Sequence, residues 1–69
     1  MMFRLYVSSP LQIKGEVIEI DTLDARKAYE QVRQTFDHYD CKRIDQILDP
    51  DNRLHYSLYT GFTSFADRK

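Results

Sequence analysis

The chain opens on a period of two: Phe3, Leu5 and Val7 alternate with Arg4, Tyr6 and Ser8, the pattern of a strand with one buried face. Ser9 and Pro10 interrupt it, because proline cannot donate to a ladder and biases its predecessor toward extended geometry. A turn or loose connection then runs to about Gln12. A second strand is predicted over residues 13–20, with Glu16, Ile18 and Ile20 on one side, Val17, Glu19 and Asp21 on the other, and Gly15 as a candidate bulge. Short strands this close in sequence pair most simply as a hairpin.

From Leu23 the period lengthens. Ala25, Ala28, Tyr29, Val32, Phe36 and Tyr39 recur at intervals of three and four, one stripe of a helix, while Arg26, Lys27, Glu30, Arg33 and Gln34 face water. Thr22 or Asp24 can supply the N-cap oxygen, and Asp24 also sets a negative charge at the positive end of the helix dipole. The helix loses support by Asp40. Ile44, Gln46 and Leu48 then alternate with Arg43, Asp45 and Ile47, and Leu54, Tyr56 and Leu58 alternate with His55, Ser57 and Tyr59. Between the two runs, Asp49, Pro50, Asp51 and Asn52 have the chemistry of a hairpin turn. The expected order is strand, strand, helix, strand, strand: an α+β fold with a mainly antiparallel sheet and one helix packed on one face.

One helix covers one face of a sheet. If the alternation holds throughout, the other face carries Arg4, Tyr6, Val17, Glu19, Ile47, His55 and Tyr59, a mixed surface that a monomer must leave wet. Length sharpens the point, since 69 residues make a single domain and a chain this short buries only about 60% of its unfolded surface. Leu, Ile, Val and Phe make up 18 of those residues, enough to fold but not to fill a large core. Pairing with a partner, most simply a second copy, is the expected remedy, through the open face, an edge strand or the tail at 62–69.

Ten Lys and Arg against eleven Asp and Glu give a net charge of −1, evenly divided along the chain. A phosphate-binding surface ordinarily shows a basic excess, so nucleic acid ranks second. Its candidate residues are Arg4, Lys42, Arg43 and Arg53 with the strand aromatic Tyr56, in the manner of sheets that stack bases. A lone cysteine, Cys41, forms no internal disulfide, which points to a reducing, cytoplasmic setting. The first residues lack a signal-peptide core, and no apolar run approaches the roughly 18 residues of a membrane span.

The densest polar group is Asp37, His38, Asp40 and Cys41, with His55 the only histidine elsewhere. Structural zinc sites use four ligands in well-spaced pairs, and a cysteine nucleophile needs an oxyanion cradle that two glycines do not suggest. The bland reading is a helix C-terminus. Asp45, Asp49 and Asp51 likewise read as a solvated hairpin rather than as acid and base. No catalytic residue, metal or cofactor is expected. The reading is therefore a non-enzymatic protein-binding module, homodimeric, an adaptor or an inhibitor of a larger protein, similar in size to those that compact genomes such as phages encode. Tyr59, Phe62, Phe65 and Tyr6 are its candidate contact residues, because aromatics supply much of the energy at interface centres. Phe62 and Phe65 carry the alternative of folding back over the core, which truncation after Gly61 would expose as unfolding.

Overall fold

A computed structural model describes residues 1–11, 14–36 and 41–63. The elements run β1 (Met2–Ser8), β2 (Glu16–Asp21), α1 (Ala25–Gln34), β3 (Arg43–Leu48), β4 (Leu54–Ser57) and β5 (Gly61–Phe62). The strands form one sheet in the order β2-β1-β3-β4-β5 with every adjacent pair antiparallel. The α+β reading holds, with one short strand more than the sequence announces. Phe62, placed by the sequence in a tail, belongs to that fifth strand.

The alternation in β1 does what its period dictates. Phe3, Leu5 and Val7 are buried, opposite Ile20 and Ile18 of β2 and Ile47 and Ile44 of β3. Helix α1 closes this face with Ala25, Ala28 and Val32. Small alanines let the helix approach closely, and each fully buried large side chain contributes about 1.5–3 kcal/mol relative to leaving it in water. Tyr29, Phe36, Tyr56 and Phe62 pack around the rim of this core.

Asp24, rather than Thr22, caps the helix: its carboxylate accepts the Lys27 N–H at 2.8 Å. Thr22 instead donates its N–H to the Met1 carbonyl, 2.9 Å away, at the end of the β1–β2 ladder. Asp24→Ala is expected to cost about 1 kcal/mol, read as a lowered midpoint in a thermal melt followed by circular dichroism. The helix ends at Gln34, where the Thr35 hydroxyl donates to the Val32 carbonyl at 2.6 Å. That is earlier than the stripe through Tyr39 suggests; residues 37–40 lie outside the described residues.

Two bulges correct the sequence reading of the open face. The β1–β3 register shifts between Tyr6 and Val7, leaving Asp45 without an opposite residue, and the β3–β4 register shifts between Ile47 and Leu48, leaving His55 without one. A bulge resets which side the following residues face. Ile44 and Ile47, three apart, are thereby both buried, and His55 turns inward against Phe3, ring centroids 5.2 Å apart. Ile47 and His55 therefore belong to the core and not to the open face. Gly15 is not a bulge: the β1–β2 ladder runs unbroken from Met2↔Asp21 to Val7↔Glu16. Its hydrogen side chain is needed because a Cβ there would sit 2.9 Å from the Val7 carbonyl oxygen.

Arg4, Tyr6, Val17 and Glu19 do lie on the face opposite α1, Arg4 across from Glu19 and Tyr6 across from Val17, with Leu48 and Leu54 beside them. The face is only partly wet. Arg4, Tyr6, Leu48 and Leu54 are half-buried, the Arg4 guanidinium donates to the Asn52 side-chain oxygen, and Val17 is 52% exposed. Long amphipathic side chains lying along a sheet cover much of it themselves.

Candidate protein-binding site

Tyr59 is not on a strand. β4 stops at Ser57, and Leu58, Tyr59 and Thr60 form the turn into β5. The Leu58 N–H donates to the Asp45 carbonyl at 2.9 Å, the Tyr59 N–H to the Ser57 hydroxyl at 3.3 Å, and the Thr60 N–H to the Ser57 carbonyl at 3.2 Å. The Leu58–Asp45 bond continues the β3–β4 register of Ile47↔Tyr56 and Gln46↔Ser57 by one more residue on each side. Gly61 follows with φ +78, a left-handed conformation that glycine adopts without strain. β5 is stitched back by the Thr63 N–H to the His55 carbonyl, 2.9 Å, and the Thr63 hydroxyl to the Leu54 carbonyl, 3.0 Å. The turn is thus fastened on both sides, and it holds Tyr59 92% exposed with Leu58 beside it, also exposed.

Phe62 takes the other role open to it. Its ring lies 4.9 Å from that of Tyr56 and 5.5 Å from that of Tyr29, with the Arg26 guanidinium 4.2 Å from its centre. Tyr29 and Tyr56 are themselves 5.1 Å apart. Burial, the electrostatic influence of the neighbouring Tyr29 and a hydrogen bond with it together raise the Tyr56 pKa above the ordinary phenol value. This cluster fastens α1 to β4 and β5. Of the residues proposed for protein contact, Tyr59 stands fully out, Tyr6 is half-buried on the open face, Phe62 is packed, and Phe65 lies outside the described residues.

The residues considered for nucleic acid fall in two groups. Arg4 sits on the open face bonded to Asn52, the neighbour of Arg53 on the β3–β4 turn. Lys42 and Arg43 lie at the start of β3, with carboxylates of Glu16 at 3.0 Å and Asp45 at 3.4 Å respectively. Tyr56, whose ring is taken up by Tyr29 and Phe62, offers no platform for a base.

One polar pair escaped the sequence reading. Asp49 and His55 are 5% and 8% exposed, with His55 Nε2 2.9 Å from Asp49 Oδ2. An ionised carboxylate only accepts, so Nε2 carries the proton in this bond. The other Asp49 oxygen accepts the N–H groups of Asp51 at 2.8 Å and Arg53 at 2.9 Å. Burial alone would raise the Asp49 pKa, but the bonds from His55, Arg53 and Asp51 and the field of His55 outweigh it and hold the carboxyl below its usual value of 3.8. Buried under the hairpin, the pair holds the β3–β4 turn through these bonds. The missed signal was local: an aspartate opening a proline turn, with a histidine six residues on. Its meaning depended on the bulge that turns His55 inward.

Of the Asp37, His38, Asp40 and Cys41 group only Cys41 lies within the described residues, where it is exposed. Among the described residues no three His, Cys, Asp or Glu side chains gather as a metal site, and no helix is long and apolar enough to cross a membrane. Compared with known protein families, curated proteins and solved structures, the chain matches none.

Proposed function

We propose that the protein is a non-enzymatic protein-binding module that works as a homodimer, serving as an adaptor or as an inhibitor of a larger protein. Tyr59 carries this reading: an aromatic ring 92% exposed on a turn tied down by three hydrogen bonds. In a monomer such a ring adds nothing to stability. In an interface it is an anchor, because tyrosines are enriched among the residues that dominate binding energy and a fixed turn loses little freedom on contact. The exposed Val17 and the half-buried Tyr6 of the open face offer a second apolar surface to a partner. We place the protein in the reducing cytoplasm, where the exposed thiol of Cys41 persists.

The test follows backbone amide resonances on dilution, from about 1 mM to about 10 μM chain, a range that spans weak to moderate affinities. Shifts centred on Leu58, Tyr59 and Thr60 are expected. Shifts confined to Met2, Tyr6 and Val17 would move the interface to the open face, and an unchanged spectrum would contradict self-pairing.

A further inference from the structure

The outer surface of α1 carries a shallow groove of about 230 Å³ lined by Tyr29, Glu30, Arg33 and Gln34. Tyr29 and Arg33, like Glu30 and Gln34, are four residues apart, and Glu30 and Arg33 are three apart, so the four form one patch on the helix. The volume is below the roughly 300–1,000 Å³ of small-molecule sites. It suits a single ring instead, since an apolar cavity of about 150 Å³ accommodates one benzene.

The lining also specifies which ring. Tyr29 gives an aromatic wall, and the Arg33 guanidinium can lie over the face of an incoming ring. The same helix already does this once, seven residues earlier, with Arg26 over Phe62 at 4.2 Å. The Glu30 carboxylate and the Gln34 amide oxygen accept a hydroxyl proton, which selects a phenol over a plain phenyl group. Among the described residues one aromatic stands free of the protein's own packing and carries that hydroxyl: Tyr59, 92% exposed and therefore not seated in its own groove.

We infer that the groove on α1 of one copy receives Tyr59 of a second copy, an inference that rests on the self-pairing proposed above and names its contact. Tyr29, which lines the groove, packs on Tyr56 and Phe62, the residues flanking the Tyr59 turn. Ring and groove therefore share the α1–β4–β5 edge of the molecule, and one two-fold axis exchanges both contacts at once.

Complementation by mixing tests this, with association measured by sedimentation equilibrium on reduced protein up to about 1 mM. Tyr59→Ala removes the ring and keeps the groove; Arg33→Glu spoils the groove and keeps the ring. Both positions are exposed, so both variants should fold, which circular dichroism verifies. Each variant alone is expected to associate roughly 30-fold more weakly than the native chain, as for an interface anchor. An equimolar mixture should associate more tightly than either, because it pairs an intact ring with an intact groove. If the native chain associates while the variants match it, or the mixture gains nothing, the groove assignment is overturned and self-pairing stands. A native chain that stays monomeric overturns both.

Discussion

Asp49→Ala is expected to lower the stability of the domain by about 3–5 kcal/mol. The substitution removes one carboxylate and with it three hydrogen bonds, to His55, Asp51 and Arg53, all at a buried position. Breaking a buried pair by deleting one partner typically costs about 3–5 kcal/mol, because the remaining group stays buried without its counterpart. A domain of this length has a total stability of only about 3–10 kcal/mol at the usual 0.05–0.15 kcal/mol per residue. Asp49→Asn keeps an oxygen that can accept the two turn amides and should lose less. Urea titration of the three proteins measures the series; a loss under about 1 kcal/mol for the alanine variant would mean the turn holds without the pair.

The same carboxylate sets the acid limit of the fold. Its folded pKa lies below the unfolded value of 3.8, so its stabilisation is fully present above about pH 4 and is lost as pH falls through the folded value. Melting temperature should therefore hold from neutral pH down to about pH 4 and drop beneath it. In Asp49→Asn the contribution of this site to that drop should vanish.

Ile47→Ala is expected to cost about 2–5 kcal/mol, the range for removing a fully buried aliphatic side chain from a core that relaxes only in part. Ile47 is 0% exposed and sits between Leu5 of β1 and Tyr56 of β4. Val17→Ala, on the open face at 52% exposed, should stay within about 0.5 kcal/mol of the parent. The contrast bears on the bulges directly, because unbroken alternation would put Ile47 outside with Val17. Equal, small effects would contradict the registers described above.

Legibility in the sequence followed the regularity of each element. β1 and α1 each obey one uninterrupted period, and Phe3, Leu5, Val7, Ala25, Ala28 and Val32 all lie where those periods put them. β3 and β4 do not, because a bulge adds one residue to one strand and leaves composition untouched. Nothing in the run from Arg43 to Leu48 marks Asp45 as an extra residue, nor in the run from Leu54 to Ser57 does anything mark His55 as one, and so Ile47 and His55 fell on the wrong face. The candidate site was legible as a set of aromatics but not as a division of labour. Tyr59 and Phe62 look alike three positions apart; only the turn between them, with Gly61 at φ +78, sends one ring to solvent and the other against Tyr29, Tyr56 and Arg26. The Asp49–His55 pair was hidden for the same reason as Ile47.

Self-pairing is the claim on which the functional reading stands, and light scattering on a size-exclusion column tests it most directly. The protein is run under reducing conditions, so that Cys41 cannot link two chains, at two salt concentrations and with absorbance at both 260 and 280 nm. A mass of twice the 8.3 kDa chain is expected, insensitive to salt and free of nucleic-acid absorbance. A monomer mass at every concentration loaded, or nucleic acid that co-elutes at low salt and leaves at high salt, would contradict it.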